Sequence, residues 1–292
     1  MTNKFILGTV QFGLNYGINN NEGKPSKEKI KEILDYAFLN NVSLLDTAEA
    51  YGDSQSRIGE YIKDSGNKFE VVTKFSPSRK DLPKNLYERI VANLNTLNLN
   101  YLYGYLFHSF SDYEEYFPLF EEDISRLKKE GKILKFGVSV YNNEEINEVL
   151  KNDLIEIIQL PFNILDNSNL RGKSLELMKQ KGIEVHTRSV FLQGLFFKNP
   201  ETLTGNISEL KPQLNSIGDF SKKYNETVGS ICLNYVVNQN LIDYVLIGVD
   251  NVSQLKQNLN SLDINNQNKI LDSINTLKVK NTDLLNPSKW KP

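Results

Sequence analysis

The sequence predicts a (β/α)8 barrel, an α/β fold of eight parallel strands alternating with helices, with additional helices near the C-terminal end. Three observations carry this. Short apolar, β-branched runs alternate along the chain with amphipathic stretches of helical length. The strand-like runs are nearly continuous in apolar residues, as parallel strands covered on both faces require. No long linker interrupts the alternation, so the 292 residues are read as one domain, 1–292, a size such barrels commonly fill. A doubly wound open sheet is the alternative. It usually announces itself with a glycine-rich loop after the first strand, and GTVQFG lacks the G-x-G-x-x-G spacing.

The first strand is expected over FILGTV (5–10). After Pro25-Ser26, a helical stripe collects Ile30, Ile33, Leu34, Ala37 and Phe38, with Ser26 as its N-cap. SLLDT (43–47) follows as a strand with a helix over 55–63, then EVVTKF (70–75) with 84–97, and YLYGYLF (101–107) with 115–130. KFGVSV (135–140) pairs with a helix over 144–151, and EIIQLPF (156–162) with one over 170–181. IEVHTRSV (183–190) is the seventh strand. A helical pair, about 213–224 and 228–238, precedes the eighth strand, YVLIGV (244–249), which a helix over 252–260 and a last one near 266–278 follow.

Barrel enzymes place their active sites at the carboxyl ends of the strands. Asp46 ends the second strand, Lys74 the third and His108 the fourth, while Tyr51 follows the second in AEAYGDSQ. Taken singly, a strand-end Asp is a helix cap, a Tyr is packing and a Lys is a solvated charge. Converging on one mouth, they make a proton-donating set. A free phenol near pKa ~10 is a reluctant acid, and a neighbouring ammonium is expected to lower it. Asp46 would hold that ammonium by pairing with Lys74. His108 would orient a carbonyl oxygen and stabilise a developing alkoxide.

The chain here resembles the aldo-keto reductases. The resemblance rests on LGTVQFG, LLDTAEAYGDSQSRIGEYI, VVTKF, LFHS, GKILKFGVSVYN, IIQLPFN and LIGVDNVSQLKQNL, in the family's order over almost the whole chain. It implies hydride transfer from NADPH or NADH to an aldehyde or ketone, with Tyr51 as general acid and Asp46, Lys74 and His108 as its catalytic partners. It also implies that Gly8, Thr9, Ser139, Gln159, Arg188, Ser189, Gly248 and Asn258 meet the cofactor. Four positions depart from the family's pattern. Val140 stands where an Asn usually follows Ser139, with Asn142 as a conceivable substitute. Arg188 replaces an aromatic that stacks on nicotinamide, and could instead grip a pyrophosphate or an anionic substrate. Gly248 and Gln254 occupy positions that usually carry the cations for a 2′-phosphate, with Asp250 between them.

Gln11 and Gln193 would flank the mouth as substrate-binding amides, which suit a sugar or activated-sugar carbonyl better than an alkyl ketone. The tail LLNPSKWKP could bring Trp290 back over the site. A Schiff-base lyase using Lys74, and a nicotinamide-sensing module that turns over slowly, are the alternatives from other classes.

The resemblance implies a small-molecule carbonyl substrate as the partner. A net charge of -2 and no basic stripe argue against nucleic acid. No apolar run has the length of a signal segment or a membrane span, so the cytoplasm is expected. The single cysteine, Cys232, reads as a small buried residue, and His186 as a core histidine. No metal site is expected from two histidines and one cysteine, and nothing in the sequence sets an oligomeric state.

Overall fold

Eight strands close into a barrel in chain order, each parallel to the next and the last paired with the first. They are β1 (Phe5–Gly8), β2 (Leu44–Asp46), β3 (Glu70–Phe75), β4 (Leu102–Phe107), β5 (Ile133–Ser139), β6 (Ile157–Pro161), β7 (Glu184–Arg188) and β8 (Tyr244–Gly248). The computed structural model describes residues 4–18, 20, 23–262 and 267–291. Around the strands run α1 (Val10–Gly13), α2 (Lys27–Leu39), α3 (Ser54–Ser65), α4 (Leu86–Leu97), α5 (Phe110–Lys129), α6 (Asn143–Val149) and α7 (Ser168–Gln180). The additional helical pair is α8 (Lys211–Tyr224) and α9 (Val228–Val237), and α10 (Val252–Asn260) and α11 (Gln267–Asn275) follow β8. Residue 266, the expected start of the last helix, lies outside the described residues.

The barrel and its extra helices are as the sequence predicts. Ser26 caps α2, its side chain accepting from the Lys29 amide. Ile30, Ile33, Leu34 and Ala37 are buried, but Phe38 is 36% exposed and falls off the stripe. Strand ends are the main differences. The first strand stops at Gly8, because Thr9 and Val10 already turn into α1. The segment after β7 is a run of short 3-10 turns over Leu192–Phe197, Pro200–Thr202 and Gly205–Leu210, which no periodicity announces. Among the described residues, no helix is long and apolar enough to cross a membrane.

Most buried apolar side chains, Cys232 among them, pack between strands and helices. A smaller cluster, Ile6, Leu44, Val72, Leu106 and Ile157, fills the middle of the barrel. Towards the amino ends of the strands the filling turns polar. Glu184 accepts from the Tyr103 hydroxyl (2.8 Å) and from His186 Nε2 (2.7 Å), and is paired with Lys135. His186 is therefore a core histidine as expected, although its Nδ1 has no partner among the described residues.

Register sets the heights of the carboxyl-end side chains. Asp46 sits level with Gly8 and Val72. Ser139, Gln159 and His186 are neighbours across β5, β6 and β7, and Gly8 lies beside Gly248 to close the ring.

Candidate active site

A cavity of about 1030 Å³ opens at the carboxyl ends of the strands. Asp46, Tyr51, His108, Ser139, Gln159 and Arg188 all border it, so residues far apart in sequence meet as the barrel requires. Lys74 stands one layer deeper. Its side chain is 1% exposed, and its ammonium donates to Asp46 Oδ1 (2.5 Å) and to the Thr47 carbonyl (3.1 Å). The second Asp46 oxygen accepts from Gln159 Nε2 (2.8 Å).

Tyr51 is held by its backbone. Its carbonyl accepts from the Ser54 amide at the start of α3, and α1 lies directly against it. A Cβ on Gly13 would fall 1.7 Å from the Tyr51 carbonyl oxygen, so only glycine permits this approach. Gly52, at φ +55, is equally pressed, with a Cβ there reaching within 2.5 Å of the Gly13 carbonyl. The phenol ring meets His108 edge to face at 5.5 Å between centroids, and the Lys74 ammonium lies 5.3 Å from its centre. Among the described residues none is hydrogen-bonded to the Tyr51 hydroxyl.

The electrostatics correct one expectation. The Tyr51 phenol is not lowered by Lys74; burial raises its pKa above the ordinary 10.0, and the Asp46 carboxylate raises it further, against an opposing pull from Arg188. The reason is geometric. Lys74 points its charge at Asp46, and burial lowers its own pKa despite that partner. Tyr51 therefore stays protonated throughout the working range. His108 is pushed down to about 3 by burial, with Lys74 and Arg188 adding to the effect, so its imidazole is neutral and can donate one N–H.

Other expected site residues divide into three groups. Ser139 (3% exposed) and Gln159 border the cavity as expected, as do Gly8, Ser189, Gly248 and Asn258. Thr9 also borders it, but its hydroxyl is committed to the Asp46 carbonyl (2.9 Å), which makes it a tie between β1 and β2. Asn142 does not replace the missing Asn, because its side chain caps α6 and bonds Glu145. Val140 in turn is fully buried. Trp290 does not cover the site; its indole donates to the Leu284 carbonyl, and it packs on the neighbouring turn.

Arg188 lies 4.1 Å over the Tyr141 ring and donates to the Val140 carbonyl. Gln193, at φ +54, donates to the Tyr16 hydroxyl (2.9 Å), and its carbonyl accepts from Ile18, which ties the β7 loop to the β1 loop. Gln11 Oε1 is buried without a partner among the described residues. That is the state expected of an acceptor that a bound molecule satisfies. Tyr16 and Tyr141, both on the cavity wall, went unmarked in the sequence because a loop tyrosine carries no signal of its own.

The aldo/keto reductase family model matches residues 4–278. Among curated proteins, the chain is 24% identical to the NADH-specific methylglyoxal reductase of Escherichia coli, covering 77% of this chain and 79% of that one. It is 25% identical to an uncharacterized oxidoreductase of Bacillus subtilis, covering 80% and 82%. Among solved structures, it superposes on an aldo-keto reductase from Bacillus halodurans in its holo form with a TM-score of 0.72 at 20% identity, covering 94% and 91%. A Klebsiella pneumoniae aldo/keto reductase in complex with NADP and acetate gives 0.68 at 20% identity, covering 94% and 90%. A match of this extent, on a closed eight-stranded barrel, shows that the chain belongs to the aldo/keto reductase family and is an NAD(P)H-dependent oxidoreductase.

Proposed function

We propose that the chain reduces an aldehyde or ketone to an alcohol, with Tyr51 as the general acid. The observation that carries this is a protonated phenol with an unengaged hydroxyl at the cavity wall, beside a neutral imidazole and above a buried ion pair. A reduced nicotinamide bound in the cavity supplies the hydride. Tyr51 gives its proton to the carbonyl oxygen, which becomes a far stronger base than a phenolate once hydride arrives. His108 donates an N–H to that oxygen and fixes its direction. Asp46 and Lys74 offset each other's charge and hold the floor beneath the phenol. Regeneration of the phenol requires a proton from solvent through the open mouth.

The cavity residues fit a dinucleotide. Ser139, Gln159 and the orphaned Gln11 Oε1 offer amide-complementary groups on the cavity wall, and Arg188 offers a cation to a phosphate or to an anionic substrate. At the far end, the turn into α10 favours NADH over NADPH. Asn251 accepts from the Gln254 amide, while Gln254 accepts from the Asp250 amide and donates to its carboxylate. The Gln254 donors are thus occupied, and a carboxylate stands beside them. Lys256 lies over the Tyr36 ring. One relative is by its name NADH-specific, whereas the Klebsiella structure holds NADP. Nicotinamide fluorescence titration is expected to give a lower Kd for NADH; equal affinities would refute the preference.

The narrower substrate reading is a hydroxylated carbonyl, a sugar or activated sugar. The Gln11 and Gln193 amides on the wall support it, alongside the rings of Tyr16 and Tyr141. A Schiff-base role for Lys74 is disfavoured, since its ammonium is buried behind Asp46 and faces no cavity. The test is a panel of carbonyl sugars and simple aldehydes, followed by loss of reduced-nicotinamide absorbance with each cofactor. Oxidation of the cofactor by at least one compound is expected; cofactor binding with no turnover across the panel would instead favour a sensing module.

A further inference from the structure

Behind the loop that carries Tyr51 lies a carboxylate that the proposed chemistry does not use. Glu49 is fully buried. One of its oxygens accepts from the Ser76 amide (2.9 Å) and from Arg89 Nη2 (2.6 Å) and Nε (2.9 Å). The other accepts from Asn93 Nδ2 (2.7 Å) and the Tyr105 hydroxyl (2.8 Å). Arg89 also donates to the Ser76 carbonyl (2.5 Å) and lies 4.8 Å from the Phe75 ring centre.

These partners are not scattered. Glu49 precedes Tyr51 by two residues, Ser76 follows Lys74 by two, and Tyr105 precedes His108 by three. The Glu49 backbone belongs to the same clamp. Its amide donates to the Lys74 carbonyl (3.1 Å), and its carbonyl accepts from Arg79 Nη1 (2.5 Å), which also reaches the Gly52 carbonyl (3.5 Å). Arg79 thus grips the chain on both sides of Tyr51, while Gly13 closes against the Tyr51 carbonyl from the other side.

We propose that Glu49 is a positioning residue for carbonyl reduction, its buried carboxylate clamping the three segments that carry Tyr51, Lys74 and His108 into one geometry. The inference rests on the roles proposed above for those side chains. A buried ion pair adds little net stability over apolar residues of the same volume. Its directional bonds fix where three strand ends lie relative to one another, and reaction rates are sensitive to displacements on the order of 1 Å.

The test compares Glu49→Gln, which keeps the shape but turns an acceptor into a donor, with Arg79→Ala, whose side chain is 30% exposed and lies outside the buried core. Each is made alone and with Tyr51→Phe. Melting curves and Kd for reduced nicotinamide are measured alongside kcat and KM. The clamp predicts a fall in kcat on the order of 10- to 100-fold for Glu49→Gln and a smaller fall for Arg79→Ala, with Kd and KM little changed. It also predicts a loss clearly smaller than multiplicative when either change is added to Tyr51→Phe, because much of the effect of each passes through that phenol. If Glu49→Gln does not fold, Arg79→Ala decides. A wild-type kcat in the folded variants, or losses that multiply with Tyr51→Phe, would overturn the clamp alone. A wild-type kcat for Tyr51→Phe itself would overturn the proposed roles and the clamp with them.

Discussion

Both ends of this barrel hold a carboxylate, a lysine, a tyrosine and a histidine, yet only one end has the means to react. At the mouth these are Asp46, Lys74, Tyr51 and His108; at the floor they are Glu184, Lys135, Tyr103 and His186. The floor set is closed on itself. Tyr103 donates to Glu184 and accepts from Lys135 (3.1 Å), and His186 completes the carboxylate's partners. These bonds, led by those from His186 and Lys135, hold the Glu184 carboxyl at about 2 although burial pushes the other way. At the mouth the lysine serves the carboxylate and the Thr47 carbonyl, and the phenol keeps its hydroxyl for the cavity. Residue types are therefore a poor guide to chemistry unless one donor is left unengaged beside a space.

The largest effect expected from this contrast is catalytic. Tyr51→Phe should lower kcat by about 10²–10⁴-fold while reduced nicotinamide still binds, as loss of a general acid does. Tyr103→Phe should leave kcat near the wild-type value. Comparable losses in both would mean that the phenols are not distinguished by the cavity. Next in size is stability. Lys74→Met strands Asp46 in the interior and should cost about 3–5 kcal/mol in urea unfolding. Lys135→Met, at a side chain 33% exposed and with Tyr103 and His186 still bonding Glu184, should cost about 1 kcal/mol. Equal losses would show that the two pairs are buried alike in solution.

The two ends also separate by pH. His108, pushed down to about 3 from an ordinary 6.5, binds its proton later in the folded chain than in the unfolded one. Its contribution to stability is present above 6.5 and is lost as pH falls from there towards 3. Glu184, held at about 2 against an ordinary 4.5, contributes above 4.5 and loses that contribution only below it. Between 6.5 and 4.5 the erosion should thus come from the mouth, and His108→Asn should flatten the stability profile in that window. A profile unchanged by the substitution would argue that the imidazole is more hydrated than its burial implies.

Much of the mouth was legible in the sequence, and most of the floor was not, for a physical reason. Asp46, Lys74 and His108 stand at the ends of apolar runs, where the alternation itself marks them, and the barrel then brings them together. Glu184 and Lys135 also border strands, but at their amino ends, where a charged residue looks like a loop boundary. Apart from the Asp46–Lys74 pair, the hydrogen bonds that decide the chemistry were invisible in both places. Nothing in AEAYG shows that Glu49 meets Arg89, forty positions on, or that the expected Asp46–Lys74 pair leaves the phenol weakly acidic. Periodicity reports the faces of elements; it does not report which donor reaches which acceptor.

The smallest expected effect tests whether the two ends are independent. His186 lies in register with Gln159, whose amide donates to Asp46, so a floor residue and a mouth residue stand side by side on neighbouring strands. His186→Leu removes one donor from Glu184, which keeps Tyr103 and Lys135, and also removes the unpartnered Nδ1. Loss and relief should nearly cancel, leaving stability within about 1 kcal/mol of wild type and kcat unchanged. The apolar cluster of Ile6, Leu44, Val72, Leu106 and Ile157 packs beside Tyr103 and itself offers no titratable group to couple the two sets. A fall in kcat in the folded His186→Leu chain would mean that Gln159 transmits the change to Asp46, and that the floor helps to place the ion pair beneath the phenol.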